Sequence, residues 1–174
     1  MSTAAPLVGP ALEPVDYDPF AGGELALVVP TTEAQREIWL ADQLGREASL
    51  AFNLSVSLRL AGVLDVDALG RALQELVDRH DALRSNVGPD GQTLGVLRQL
   101  AIAPAVQDLS ELDDAARGRA VEQRIRASVE TPFQIGTCPL FRAELLRLGP
   151  QEHLLLLTAH HIACDGWSLS LIHI

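Results

Sequence analysis

The chain has 174 residues, 48% of them hydrophobic, and a formal net charge of −10 from 13 basic and 23 acidic side chains. This length and composition fit one folded domain, while the negative charge argues against a nucleic-acid partner. No apolar run approaches the roughly 18 residues that span a bilayer, and the N-terminus lacks a secretion signal, so we expect a cytoplasmic protein with no membrane partner. Only two cysteines, Cys138 and Cys164, are present, so we expect no disulfide framework.

The first predicted elements are a leader, a helix and a strand. Prolines and small residues through residue 29 predict a flexible leader or linker. Thr32 and Gln35 have the spacing of a capping box, which predicts a helix from there to about Leu44, before Gly45. The strict alternation from Asn53 to Leu60 predicts a half-buried strand.

The middle of the chain alternates helices and strands. Residues from about Val66 to His80 carry leucines at helical spacing, so one face, with His80 on it, should pack on a sheet. Strands are predicted at 83–87 and 93–100, around a Pro-Asp-Gly turn at 89–91. A polar helix with a solvated face is expected from Ser110 to about Glu130.

The last predicted element is a hairpin of two apolar strands. Residues 140–148 and 153–159 flank the turn residues Gly149 and Pro150. The second strand would deliver His160 and His161 to its exposed end. The whole pattern predicts an α/β fold, a mixed sheet with helices packed on one side.

The segment from Ala159 to Ser168 holds two histidines, a carboxylate and a glycine at the end of that strand. Neighbouring side chains of a strand point to opposite faces, so one histidine can address a substrate, and we take His161 as the catalytic candidate. Asp165 would fix the loop through a buried ion pair. Gly166 would permit a backbone turn or a ligand approach that a side chain would block.

Three other interpretations compete with an acyl-transfer site. A lone core histidine is more often structural than catalytic. A metal site is disfavoured because adjacent histidines diverge and no third ligand is placed, so we predict no metal. Cys164 as a thiol nucleophile has no further pattern around it and is treated as structural.

These residues resemble a known family. The H-H-x-x-x-D-G segment is similar to the active-site motif of condensation domains of nonribosomal peptide synthetases, in the chloramphenicol-acetyltransferase-like superfamily. Residues 32–40, T-E-A-Q-R-E-I-W-L, resemble that family's first motif, and residues 79–85, R-H-D-A-L-R-S, resemble its second, R-H-E-x-L-R-T, with Asp81 for the usual glutamate. The resemblance covers about residues 28–168.

The resemblance implies a fold and a reaction. The fold would be the chloramphenicol-acetyltransferase-like N-terminal subdomain, an α+β sandwich. The reaction would be amide formation between two acyl groups held as thioesters on the phosphopantetheine of donor and acceptor carrier proteins, with no cofactor bound by the domain itself. His161 would act as a base or position the amine, and His160, in place of an aspartate, argues against the cyclising subclass.

The resemblance also implies structural roles and a boundary. Asp165 would pair with Arg79 or Arg84 of the second motif. Residues 30–174 would form the N-terminal half of a condensation domain, truncated after the motif, so that the fragment lacks its C-terminal half and is inactive alone. The parent synthetase, either a pure peptide synthetase or a hybrid with polyketide modules, would make a secondary metabolite. Two alternatives stay open, an acyltransferase acting on a free alcohol or amine, and a non-catalytic carrier-binding fragment.

Overall fold

The computed structural model describes residues 23–166 and Ser168. Within residues 23–165 it contains seven strands, four α-helices and one 3₁₀ turn. In chain order they are β1 Leu25–Pro30, α1 Glu33–Asp42, α2 Arg46–Leu50, β2 Asn53–Ala61, α3 Val66–Arg79, the 3₁₀ turn Asp81–Arg84, β3 Ser85–Val87, β4 Thr93–Leu97, β5 Ala105–Asp108, α4 Asp114–Glu130, β6 Phe141–Gly149 and β7 Glu152–His160.

The strands form two sheets. The larger has the order β2-β7-β6-β5 and is mixed, because β5 pairs with β6 in parallel and the other pairs are antiparallel. The smaller has the order β1-β4-β3 and is antiparallel. The mixed sheet and the β6–β7 hairpin confirm two predictions, whereas β5 and the separate small sheet were not predicted.

Helices cover both faces of the larger sheet, so the prediction of helices on one side is wrong. On one face, Leu73 and Val77 of α3 pack with Leu155 and Leu157 of β7. On the other, Leu154 and Leu156 face α4, including its half-buried Ile125. Burial on both faces explains why β7 is an unbroken apolar run rather than an alternating strand.

Each long helix begins at a side-chain cap. Thr32 and Gln35 form the predicted capping box at α1, Asp65 accepts a hydrogen bond from the backbone N–H of Ala68 at α3, and Asp113 caps α4 in the same way. The α4 start therefore lies four residues after the predicted Ser110. These caps satisfy backbone donors that a helix start leaves unpaired.

Two predictions from the sequence differ from the structure. The leader was expected through residue 29, but Leu25–Pro30 is a strand paired with β4, so that boundary is wrong, and residues 1–22 lie outside the described part. His80 was expected on the apolar face of α3, but the helix ends at Arg79 and the extended backbone of His80 turns it to solvent. No helix among the described residues is long and apolar enough to cross a membrane.

Candidate functional site

The two adjacent histidines lie where β7 ends and a turn begins. His160 is the last residue of β7 and is fully buried, whereas His161 is half-buried in the turn. The backbone N–H of His161 donates to the carbonyl of Phe52 at 2.8 Å, which ties the turn to the start of β2. The prediction that the two side chains meet different surroundings is confirmed.

His160 is held in an aromatic and polar enclosure. Its ring lies 6.0 Å from the Phe52 ring and 6.1 Å from the Phe133 ring, centroid to centroid. Burial lowers the pKa of His160 below its ordinary value, an effect opposed by the carboxylate of Asp42 and strengthened by His161. The ring is therefore uncharged at neutral pH and inaccessible to a substrate, which leaves His161 as the histidine that solvent can reach.

Helix α1 contacts the histidine turn, which is the turn after β7 that begins at His161. The Nε2 of Gln35 donates to the carbonyl of Ile162 at 3.3 Å. Ile38 and Trp39 pack against the buried cluster that contains Ile162. The Trp39 ring lies so close to Gly91 that a Cβ there would fall 2.4 Å from a ring carbon, so only glycine fits beneath it.

The second family motif, residues 79–85, packs near the same turn through Leu83. Leu83, in the 3₁₀ turn after α3, is buried in the cluster that contains Ala159 of β7, and Cys164 packs against that cluster. All three segments that carry the family resemblance therefore contact the end of β7 or the turn after it. Packing, rather than a chain of polar contacts, brings the second motif there.

Asp165 does not form the predicted ion pair with Arg79 or Arg84, so that prediction is wrong. Asp165 is exposed, and its Oδ1 accepts hydrogen bonds from the backbone N–H and hydroxyl of Ser168 at 2.8 and 2.7 Å, which lower its pKa. Arg84 instead pairs with Asp81 and donates to the carbonyl of Leu97 at 2.6 Å. A carboxylate three residues away and a strand carbonyl hold the Arg84 guanidinium, and Arg79 is exposed at the end of α3.

Gly166 is not required by the local backbone. Its φ is not positive, and a Cβ added there would meet no atom of residues 23–166 or of Ser168 within 4 Å. The role of Gly166 in admitting a ligand stays a prediction.

The thiol of Cys164 is poorly suited to act as a nucleophile. Burial, with a smaller contribution from Asp165, raises its pKa to about 11, and the thiolate is the reactive form. No group of three His, Cys, Asp or Glu side chains in the described ranges is arranged to hold a metal ion.

Sequence reasoning missed Asp42, which faces His160. Its Oδ1 lies 4.0 Å from the Nε2 of His160, and the side chain is 14% exposed. A signal was present, because Gln35, Ile38, Trp39 and Asp42 follow the spacing i, i+3, i+4 and i+7 of one helix face. A carboxylate on a half-buried helix face that also carries Ile38 and Trp39 needs a partner, and this requirement could have singled it out.

Comparison with known proteins gives the same family along most of the chain. A family model described as the condensation domain matches residues 26–173. Chondramide synthase cmdD of Chondromyces crocatus is 38% identical over 144 residues, which cover 82% of this chain and 4% of that protein. The isonitrile lipopeptide synthase of Mycobacterium tuberculosis is 38% identical over 157 residues, 88% of this chain and 6% of that protein.

Solved structures show the same fold. The starter condensation domain of rhizomide synthetase RzmA superposes with a TM-score of 0.75 at 29% identity, over 85% of this chain and 37% of that one. SgcC5 from Streptomyces globisporus gives a TM-score of 0.71 at 29% identity, over 83% of this chain and 34% of that one. The predicted fold class is confirmed, and the chain spans only a small part of these synthetases and about a third of the domains with known structure.

Proposed function

Since the chain belongs to the condensation-domain family found in nonribosomal peptide synthetases, we propose that it supplies the catalytic histidine of an active site that forms an amide by acyl transfer. One observation carries the proposal: His160, at the end of β7, is completely buried, whereas His161, in the turn that follows, is half-buried. A buried, uncharged neighbour that fixes the turn and an accessible imidazole beside it suit a site where a proton must be accepted or an amine held.

The substrates in this proposal are two thioesters on carrier proteins. The acceptor amine attacks the carbonyl carbon of the donor thioester, so that a C–N bond forms and, after a tetrahedral intermediate, the C–S bond breaks. The amine proton leaves with the pantetheine sulfur as a thiol. Phosphopantetheine enters as part of the carrier-bound substrate, and the domain itself binds no cofactor.

His161 has two roles open to it in this reaction. It can accept the amine proton as a general base, or it can orient the amine and stabilise the intermediate. An α-amine titrates near pH 8, so an appreciable fraction is already unprotonated near neutrality. Orientation is therefore the role that we propose as the larger one, with proton transfer contributing where the amine is charged.

The partners in this proposal are the donor and acceptor carrier proteins and the C-terminal half of a condensation domain. The relatives of known structure are about three times as long as the segment that this chain matches. The side of His161 away from β7 would then be closed by the second half, which would also provide contacts to the carriers.

The test is amide formation by this chain mixed with the separately produced C-terminal half of a related condensation domain, supplied with donor- and acceptor-loaded carriers. We expect a carrier-bound amide, detected by mass spectrometry. His161→Ala should lower its rate by about 10²- to 10⁴-fold, a range that covers the loss of a group that stabilises the intermediate and of one that transfers the proton. Cys164→Ala is the matched control, three residues away, and should leave the rate unchanged.

Other outcomes separate the alternatives. Undiminished product with His161→Ala contradicts the role of His161, and loss of product with Cys164→Ala restores the thiol hypothesis. Product with a free amine or alcohol but not with the acceptor carrier indicates another acyltransferase of the superfamily. Carrier binding without any turnover by the wild-type pair indicates a carrier-binding fragment.

A further inference from the structure

Asp42 and His160 face each other inside the protein without a hydrogen bond between them. Asp42 is the last residue of α1, and its Oδ1 lies 4.0 Å from the Nε2 of His160, which is the last residue of β7. Both atoms are buried, and neither has a hydrogen-bond partner among the described residues. Buried polar atoms are nearly always paired, so two that face each other call for a physical role.

The other nitrogen of His160 is engaged in the turn. Its Nδ1 accepts a hydrogen bond from the backbone N–H of Ile162 at 3.3 Å. A ring nitrogen that accepts carries no proton, so the proton of the neutral ring is on Nε2. That nitrogen is the one aimed at Asp42, whose negative charge favours a proton there.

The His160 ring also acts on the backbone that carries His161. The carbonyl of His160 accepts from the N–H groups of Ala163 and Cys164 at 2.9 and 3.4 Å, so the chain turns back sharply over these residues. The hydrogen bond from the Ile162 N–H to the Nδ1 of His160 stabilises the same turn through a side chain. A change of tautomer would place a proton on Nδ1, opposite the proton of Ile162, and would open the turn.

We propose that Asp42 is a positioning residue of this site: its carboxylate holds the His160 ring as the Nε2–H tautomer, and the ring, through the amide of Ile162, fixes the turn that presents His161. Asp42 acts through His160 and touches no substrate. The positioning itself can be tested on this chain alone, while its consequence for catalysis depends on the function proposed above.

The first experiment reads the tautomer directly. Two-bond ¹H–¹⁵N correlation spectra of the labelled chain at pH 7 assign the protonated nitrogen of His160, and hydrogen exchange follows the Ile162 amide. Wild type should show Nε2–H. Asp42→Asn removes the charge and offers an amide donor to Nε2, so we expect a shift towards Nδ1–H and at least tenfold faster exchange at Ile162.

Two further variants control for charge and shape. Glu37→Gln removes the same charge from an exposed position of the same helix and should change neither reading. Asp42→Glu keeps the charge with a longer reach and should retain the Nε2–H tautomer. An unchanged tautomer and unchanged Ile162 exchange in Asp42→Asn would overturn the proposal. A charged ring or an Nδ1–H ring in the wild-type spectrum would overturn it as well. The wild-type spectrum therefore decides the matter even if Asp42→Asn does not fold.

The second experiment measures the consequence for the reaction. In the carrier assay above, Asp42→Asn should lower kcat by about 10- to 100-fold, the scale of a displaced catalytic group, with KM for the acceptor carrier unchanged. Equal kcat for Asp42→Asn and Glu37→Gln would contradict this consequence. A wild-type pair that makes no amide would refute the proposed function, while the spectra would still decide whether Asp42 positions His160.

Discussion

The side-chain amide of Gln35 donates a hydrogen bond to the backbone carbonyl of Ile162 at 3.3 Å, across 127 residues of sequence. The oxygen of the same amide accepts from the backbone N–H of Thr32 at 2.9 Å and so closes the capping box of α1. One side chain therefore both starts the helix and holds the histidine turn. The position of α1 and the geometry of the turn are coupled through it.

Gln35→Glu separates these two functions. The carboxylate can still accept from Thr32, but it cannot donate to Ile162 and brings negative charge towards that carbonyl. We expect about 1 to 3 kcal/mol lower free energy of unfolding in urea, and faster hydrogen exchange at the amides of the turn. Thr32→Ala weakens the helix cap but keeps the donor of Gln35 to Ile162, so it should cost about 1 kcal/mol and leave the turn amides unchanged. Equal effects of both variants on those amides would show that the hydrogen bond from Gln35 to Ile162 does not hold the turn.

Gly91 supports the site from beneath Trp39. Its φ is +71°, and an added Cβ would lie 2.4 Å from the Trp39 ring. Gly91→Ala combines backbone strain with overpacking and should lower the free energy of unfolding by about 2 to 4 kcal/mol. Gly118→Ala, inside α4 with nothing near its Cβ, should instead raise it by up to about 1 kcal/mol. A loss of only about 1 kcal/mol for Gly91→Ala in urea titrations, which backbone strain alone would give, would contradict the close packing of Trp39.

The helices, the long strands and the H-H-x-x-x-D-G turn could be predicted because each has a local cause. Capping side chains set the starts of α1 and α3, and periodicity set the buried face of α3. Strands β1 and β5 escaped prediction, since both are largely exposed and their pairing partners are distant in sequence. Pairing of this kind depends on tertiary context rather than on local propensity.

In the site, strand alternation predicted that His160 and His161 would meet different surroundings. The partner of Asp165 could not be predicted, because the choice of an arginine for a carboxylate depends on which groups are nearest in space, and Asp81 is nearer to Arg84. The partner of Asp42 could not be predicted for the same reason, although the place of Asp42 on its helix face was visible in the sequence. A capping box or a strand can be recognised from a few neighbouring residues, whereas a contact 118 residues apart cannot.

The C-terminal end of α4 is held by donors from other elements. The Nδ2 of Asn53 donates to the carbonyls of Val129 and Thr131 at 2.7 and 2.9 Å, and Arg142 donates to Thr131 as well. Asn53→Asp replaces the donor by negative charge at the negative end of the helix dipole, so it should cost about 2 kcal/mol or more, against about 1 for Asn53→Ala. Thermal or urea unfolding at pH 7 gives both values.

Acid provides the check on the Asn53 variants. When the introduced carboxyl group of Asn53→Asp becomes protonated, it can donate to the helix carbonyls again. The difference in stability between Asn53→Asp and Asn53→Ala should therefore shrink towards pH 3. A difference that stays constant with pH would show that charge at this helix end is not the cause.

Burial of His160 makes the stability of the protein depend on pH. Burial lowers the pKa of His160 in the folded state, whereas in the unfolded chain a histidine titrates near 6.5. Between these values the unfolded state binds more protons, so the free energy of unfolding should fall as the pH drops below about 6.5, by up to about 1.4 kcal/mol per pH unit, and level off below the folded-state pKa.

A variant without the titrating group isolates this contribution. His160→Asn keeps an acceptor for the Ile162 amide but does not ionise, so its stability should lose less on acidification from pH 7 to 5 than that of wild type. Urea titrations across that range give both curves. Parallel curves would show that the buried ring takes up no fewer protons in the folded protein than in the unfolded one.

The cysteines provide a test of the thiol alternative that needs no substrate. Burial raises the pKa of both Cys138 and Cys164 to about 11, so only about one thiol in 10³ is ionised at pH 8. Both should react with iodoacetamide about two orders of magnitude more slowly than in the urea-unfolded chain, and the rate should rise about tenfold per pH unit up to pH 10. Peptide mass spectrometry reports each site separately. Since Cys138 and Cys164 are shifted alike, rapid alkylation of Cys164 alone at pH 8 would mark it as an activated thiol beside His161 and would move the nucleophile of this site from the substrate amine to the protein.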